Sequence, residues 1–116
     1  MPNQLKVTNK SEFLKFLDAV SKINDRGVIL DIKKEKVSSL VSSVDNTLIL
    51  YSEYVTDLGF EDKLNVPDVK KLRHVIDTIE AEDIEITINP NNLQYNGTDV
   101  KFKYHLYEEG FITRPN

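Results

Sequence analysis

Apolar residues recur at helical spacing in two stretches of the chain. The first covers residues 11–23, with Ser11 as the expected N-cap and the turn-forming residues 24–27 at its end. The second begins beside Pro67 and Asp68, which favour a first helical turn, and continues to Ile79. Because residues three and four apart share one face of a helix, each stretch predicts an amphipathic helix. The two apolar stripes are Phe13, Phe16, Leu17, Val20 and Ile23, and Val69, Leu72, Ile76 and Ile79.

Other stretches alternate between apolar and polar residues, the pattern of strands with one buried face. Val28, Leu30 and Ile32 illustrate this alternation, and Asn96-Gly97 is a strong signal for a tight hairpin turn. The predicted strands cover residues 5–8, 28–32, 37–44, 47–55, 60–66, 84–88, 93–95 and 100–107.

The two halves of the chain repeat this order of elements. A shift of 56 residues carries Phe13 onto Val69 and Val28 onto Ile84, and the neighbouring apolar positions follow. Each unit reads strand, helix and three strands, over about 4–55 and 60–107. Because one helix covers its own small sheet poorly, the two units are expected to share a core. The predicted fold is α+β: a duplicated β-α-β-β-β unit in one domain over 1–116, with two helices packed on one face of a curved, mostly antiparallel sheet.

Composition excludes several classes of protein. With 116 residues, 40% of them hydrophobic, the chain is long enough for one domain with its own core. The absence of cysteine excludes disulfide scaffolds, thiolate metal sites and cysteine nucleophiles. No apolar run approaches the ~20 residues that cross a bilayer, and the opening residues lack the pattern of a secretory signal. We therefore expect a cytoplasmic protein that makes no membrane contact.

Basic residues lie on the helix faces opposite the apolar stripes, although the net charge of the chain is −4. Arg73 differs, because it lies at the edge of the second stripe, where its stem is expected to cover the core. Such a surface suits phosphate contact along one face of an otherwise acidic protein. An ordinary solvated helix face also carries lysines, and charge alone favours that second interpretation. The outward basic residues are Lys15 and Lys22, and Lys71 and His74 with Lys70 beside them; Lys10 and Arg26 lie at the ends of the first helix.

Motifs that carry catalysis are absent from the sequence. It contains neither a nucleophile-elbow serine motif nor a metalloprotease helix motif, and its four glycines form no phosphate-binding loop. His74 and His105 lack metal-ligand spacing. The sequence therefore predicts a non-enzymatic protein with no catalytic residues, cofactor or metal site.

The duplicated unit, with outward lysines on two helices of an acidic chain, resembles one domain of a DNA polymerase sliding clamp. Three segments carry the resemblance. They are the first helix at 11–20, the end of a strand pair at 43–53, and the strand that leads into the second helix at 64–72. The similarity spans about residues 4–107. It is closest to the processivity clamps of T4-like bacteriophages and more distant from proliferating cell nuclear antigen.

The resemblance implies a ring around duplex DNA, with helices lining the bore and contacting the backbone without reading sequence. The clamp tethers a DNA polymerase, is opened by an ATP-driven clamp loader and self-associates into the ring. For a phage protein the compartment is the host cytoplasm. The implied DNA contacts are Lys15, Lys22, Lys70 and Lys71, with Lys10, Arg26 and His74 beside them.

One feature departs from the family, whose subunits contain two or three such domains. Residues 110–116 resemble the start of a connector to a further domain, so the chain is expected to be part of a longer clamp or to close a ring with additional copies. Two other functions stay open. One is a small protein-interaction or regulatory α+β domain, and the other is a small hydrolase that uses scattered carboxylates.

Overall fold

The computed structural model describes residues 3–98 and 100–107 of the chain. In this part of the chain the elements follow the predicted order. They are β1 (Asn3–Val7), α1 (Lys10–Ile23), β2 (Arg26–Ile32), β3 (Lys36–Ser42), β4 (Ile49–Val55), β5 (Asp62–Asp68), α2 (Val69–Asp77), β6 (Ile84–Asn89), β7 (Asn92–Asn96) and β8 (Lys101–His105). The connector predicted at 110–116 lies outside the described residues.

The strands form two sheets, and each half of the chain contributes to both. The first sheet has the order β1-β6-β7-β8 and the second has the order β4-β3-β2-β5. The opening strand of each half therefore pairs with strands of the other half, and every neighbouring pair is antiparallel. The predicted α+β class and the two packed helices are confirmed.

The expected single curved sheet is instead divided into two four-stranded sheets. Two hydrogen bonds join these sheets, because Thr56 follows β4 of the second sheet and Tyr107 follows β8 of the first. On β1, the Lys6 carbonyl accepts a hydrogen bond from Thr56 Oγ1 at 3.0 Å. On β5, the Asn65 carbonyl accepts from the Tyr107 N–H at 2.9 Å. The two sheets are therefore linked by single hydrogen bonds at these places rather than by a continuous ladder of paired strands.

Both helices and both sheets contribute to one core. The helix α1 packs against β3 and β4, α2 packs against β2 and β5, and the two helices contact each other. Inward residues of the first sheet, such as Leu5 and Ile86, join the same cluster. Phe13, Leu17 and Ile76 are completely buried, and such a side chain contributes about 1.5–3 kcal/mol when removed from water.

Each helix begins at a polar residue that accepts a hydrogen bond from its first turn. The N-cap of α1 is Asn9, whose Oδ1 accepts from the Glu12 N–H at 3.2 Å, so the prediction of Ser11 as the cap was wrong. The N-cap of α2 is Asp68, whose Oδ1 accepts from the Lys71 N–H at 3.1 Å. Pro67 lies in β5 rather than in the first turn of α2.

The structural repeat has three offsets rather than the single predicted offset of 56. Strand register places Val28 opposite Val66 and Ile84 opposite Val7, so the middle strands do repeat at 56. The N-caps Asn9 and Asp68 give the helices an offset of 59. The helix alignment from sequence was therefore wrong by three residues, because α2 has 9 residues against 14 in α1 and the longer link after α2 makes up only part of that difference.

The last strands of the two halves, β4 and β8, correspond at an offset of 50 residues. Each carries a buried tyrosine at the equivalent position. Tyr54 pairs in register with Val37, and Tyr104 pairs with Leu93. The Tyr104 hydroxyl accepts from the Asp68 N–H at 2.9 Å and donates to the Asp68 carbonyl at 2.6 Å. The Tyr54 hydroxyl makes the same pair of bonds to Asn9, at 3.1 and 3.4 Å. Each tyrosine therefore ties the last strand of its half to the start of the helix in that half.

We expect Tyr104→Phe to lower the free energy of unfolding by about 1–3 kcal/mol, because it leaves the N–H and the carbonyl of Asp68 without their partner. Tyr54→Phe should cost less, since its bonds are longer. Urea denaturation measures both. Tyr51→Phe is the matched control, because that side chain is 53% exposed and its loss should change stability by about 0.5 kcal/mol or less. Equal losses at Tyr51 and Tyr104 would contradict the role assigned to the buried hydroxyls.

The effect of Tyr104→Phe should also depend on pH. Burial raises the pKa of Tyr104 to about 12, above its ordinary value of 10.0. A group whose pKa is higher in the folded state stabilises the fold fully below the unfolded pKa, and that contribution declines as pH rises through the folded pKa. The stability difference between wild type and Tyr104→Phe should therefore shrink from pH 10 towards pH 12. A difference that is constant over this range, in denaturation at each pH, would contradict the shift.

Candidate nucleic-acid interface

Arg73 joins the two helices on their exposed side. Its Nε donates to Asp18 Oδ1 of α1 at 3.0 Å, and its Nη1 donates to Asp77 Oδ2 of α2 at 3.1 Å. The Arg73 side chain is 33% exposed, which agrees with the prediction that its stem covers the edge of the core. The helices therefore lie side by side, and their outward faces form one surface, which we call the helix face.

Four of the predicted lysines lie on the helix face. Lys15 and Lys70 have side chains that are 73% and 69% exposed. Lys22 and Lys71 are exposed as well. All four ammonium groups are accessible to an external anion, and their contact with DNA stays a prediction.

Two further predicted residues are exposed at less central positions. His74 lies one turn after Lys70 and Lys71 on α2. Arg26 is the first residue of β2, just beyond the end of α1. His74 thus belongs to the helix face, whereas Arg26 lies at its border.

Lys10 is buried, so the expectation that it faces outward was wrong. The residue is only 8% exposed, and its Nζ donates to the carbonyl of Ile79. Its backbone N–H donates to the Glu82 carbonyl at 2.9 Å. Both N-caps precede a buried residue, since Lys10 follows Asn9 and Val69 follows Asp68. Aligning the halves by their N-caps would have placed Lys10 on Val69 and shown that it points inward.

Carboxylates accompany two of the exposed lysines. Lys15 Nζ lies 3.2 Å from Glu12 Oε1, one turn earlier on α1. Lys70 Nζ lies 3.3 Å from Asp25 Oδ2, in the link between α1 and β2. In residues 3–98 and 100–107 neither Lys22 nor Lys71 forms an ion pair with a carboxylate. Sequence reasoning missed the Asp25–Lys70 pair, because its members are 45 residues apart in the chain.

The helices nevertheless remain the most basic part of the molecule. Segments 9–26 and 68–78 hold seven basic and five acidic residues. The rest of the chain holds eight basic and fourteen acidic residues. An approaching polyanion is therefore attracted to the helix face and repelled elsewhere.

Exposed apolar residues lie along one hairpin of the second sheet, from the end of β3 through β4. The distance in sequence from Val37 to its register partner Tyr54 is 17 residues, against 11 from Leu93 to Tyr104, so the β3–β4 hairpin is six residues longer than its counterpart. The periodic pattern of the sequence did not indicate this surface, although the unequal hairpin lengths of the two halves are a signal for it. The exposed apolar residues of this hairpin are Val44, Leu48, Ile49, Tyr51 and Val55, which we call the apolar hairpin.

The described residues contain neither a cluster of metal ligands nor a membrane-spanning helix. No group of three or more histidine or carboxylate side chains in 3–98 and 100–107 is placed to hold a metal ion. No helix in these ranges is long and apolar enough to cross a membrane.

Known structures share this fold. A DNA polymerase III subunit beta sliding clamp from Pseudomonas aeruginosa superposes with a TM-score of 0.78 at 15% identity, over 99% of this chain and 33% of that one. A sliding clamp from Bartonella birtlesii gives a TM-score of 0.78 at 14% identity, over 100% and 32%. The beta clamp of Helicobacter pylori gives 0.71 at 19% identity, over 97% and 32%. No family model and no curated protein sequence matches the chain.

These comparisons establish the fold. The chain has the architecture of one sliding-clamp domain, which confirms the predicted resemblance at the level of structure. It spans about a third of the length of the clamps that it matches. The structures compared are bacterial, so the narrower attribution to T4-like bacteriophages stays a prediction.

Proposed function

We propose that this chain is a domain of a DNA sliding clamp, which helps to encircle duplex DNA and to hold a replicative polymerase on it. The observation that carries the proposal is the helix face, where Lys15, Lys22, Lys70 and Lys71 are exposed on two adjacent helices of a clamp-type domain. In this role the chain acts as a scaffold without catalysis.

The lysines suit contact that permits sliding. A lysine ammonium is a compact point charge on a flexible stem, and it approaches phosphate without the bidentate geometry of arginine. Phosphate contacts position a protein on the duplex but carry no sequence information. Because each contact can pass from one phosphate to the next, the helix face would hold the duplex while leaving it free to move.

The apolar hairpin supports the tethering part of the proposal. Val44 is 89% exposed and Val55 is 72% exposed. Apolar surface of this kind marks protein contacts. A polymerase bound there would remain close to the DNA in the ring, and its effective concentration at the primer end would rise.

A closed ring requires further domains or copies, since this chain corresponds to one domain. Two strand edges are available, because β4 and β8 are the outer strands whose free edges carry no backbone partner within the described residues. Unpaired edges of this kind favour pairing with another chain. We propose that the ring closes by such contacts.

The narrower attributions belong to the same proposal. They are a bacteriophage origin, action in the host cytoplasm and opening by an ATP-driven loader. They are supported by the resemblance of residues 11–20, 43–53 and 64–72 to T4-like phage clamps. The alternative, a regulatory protein-interaction domain, would use the apolar hairpin without the helix face, and the DNA experiment below separates the two.

We expect Lys22→Glu combined with Lys71→Glu to abolish binding to duplex DNA at low salt. Titration of the isotopically labelled chain with a mixed-sequence duplex, followed by NMR, gives both the affinity and the location of contact. Wild-type amide shifts should concentrate on α1 and α2, and log Kd should rise with log salt by about 0.9 per phosphate contact.

The matched control is Lys101→Glu combined with Lys103→Glu, which makes the same charge change on exposed positions of β8. This variant should retain most of the wild-type affinity. Equal losses in the two double variants would show that net charge alone governs binding. Wild-type affinity in the helix-face variant would reject the DNA interface and favour the regulatory alternative.

Self-association through the β4 edge has its own test. Val55→Lys places a charge on β4, and an edge lysine opposes pairing with another strand. We expect sedimentation velocity to show concentration-dependent association of the wild-type chain and a shift towards monomer for Val55→Lys. Val44→Lys is the control, since this exposed residue lies in the hairpin loop outside β4. A wild-type chain that stays monomeric at every concentration would contradict closure by copies of this chain.

A further inference from the structure

The helix face carries acidic residues as well as lysines, and their partners differ. Asp18 and Asp77 bind Arg73, which joins the helices, and Asp68 caps α2. Glu12 and Asp25 instead pair with exposed lysines of this face, at 3.2 Å from Lys15 and 3.3 Å from Lys70. Within residues 3–98 and 100–107, the side-chain partner of each of these two carboxylates is therefore a lysine that the proposed function assigns to DNA.

We infer that Glu12 and Asp25 limit the affinity of the helix face for DNA, by holding Lys15 and Lys70 in ion pairs that a phosphate must displace. The inference rests on the proposed function. It divides the four lysines into two classes: Lys22 and Lys71 are available at once, whereas Lys15 and Lys70 exchange between carboxylate and phosphate.

The exposure of these pairs makes the exchange feasible. The side chains of Glu12 and Lys15 are 55% and 73% exposed. Those of Asp25 and Lys70 are 37% and 69% exposed. Exposed ion pairs of this type are weak, so a phosphate can replace the carboxylate. The displaced carboxylate stays attached to the same face and repels the phosphate, which makes the net gain smaller than at an unpaired lysine.

The consequence is a helix face with a lower affinity for DNA than four unpaired lysines would give. Four unopposed lysines would release more counterions and bind more tightly. For a ring that is held on DNA by closure, tight backbone contact opposes movement along the duplex. Glu12 and Asp25 thus favour sliding over static binding.

Both carboxylates can be changed without altering the backbone bonds around them. Asn9 Oδ1 caps α1 through the N–H of Glu12 and not through its carboxylate. The Asp25 carbonyl, rather than its side chain, accepts from the Val69 N–H at 2.8 Å. Glu12→Gln and Asp25→Asn therefore preserve shape and remove one negative charge each. Thermal unfolding of each variant checks that the fold is retained.

The test is the affinity for a mixed-sequence duplex, measured by the NMR titration at two salt concentrations. Glu12→Gln and Asp25→Asn should each tighten binding at low salt. Each lysine released should steepen the salt dependence by about 0.9, which is a further ~3.5-fold loss of affinity between about 50 and 200 mM salt.

Matched controls remove the same charge elsewhere. Glu85→Gln lies on the exposed side of β6, and Asp57→Asn lies in the loop after β4. A double-mutant cycle provides the sharper control: Glu12→Gln should lose its effect when Lys15→Gln is also present, because no ammonium remains to be released.

The outcomes separate this inference from the proposed function. If Glu85→Gln tightens binding as much as Glu12→Gln, or if the effect of Glu12→Gln persists without Lys15, general charge is responsible and the inference fails. If the Lys22→Glu and Lys71→Glu double variant binds DNA normally, the proposed function fails, and the inference fails with it. Tightening at Glu12 and Asp25 alone, dependent on their lysines, supports the inference.

Discussion

The exchange of opening strands between the two halves determines how the two helices lie relative to the sheets and to each other. Because β1 pairs with β6, and β5 pairs with β2, each half begins in the sheet that the other half completes. The chain must therefore pass from the first sheet to the second through α1 and return through α2. This crossing brings the two helices into contact, and Arg73 fastens their exposed sides with bonds to both.

The two tyrosines fix the helices along their length. A phenol hydroxyl can accept and donate at once, so a single side chain satisfies both backbone groups of an N-cap residue. Tyr54 and Tyr104 do this from the last strands of their halves. Each tyrosine thereby holds the first residue of a helix against a strand that is distant in sequence. The position of this first residue in turn sets the positions of the lysines along the helix.

The electrostatics of the helix face combine attraction with restraint. The molecule as a whole is acidic, so in the proposed function DNA would be drawn towards the segments in which basic residues exceed acidic ones. Within that face, the carboxylates of Glu12 and Asp25 lie beside lysines rather than far from them. In the proposed clamp such a balance would suffice, because closure of the ring, and not affinity, would keep it on the duplex. The chain spans a third of the clamps that it matches, so this balance concerns one segment of any such ring.

The sequence by itself determined the properties that depend on neighbours along the chain. Helical and alternating periodicity predicted the elements, and the same periodicity placed Lys15, Lys22, Lys70 and Lys71 on outward faces. The helix offset was missed, since periodic apolar patterns agree at several shifts and only the caps remove that ambiguity. Tertiary structure decided the division into two sheets, the burial of Lys10 against Ile79 and the pairing of Asp25 with Lys70. Each of these joins residues far apart in the chain, and no local pattern encodes a distance between elements that only packing brings together.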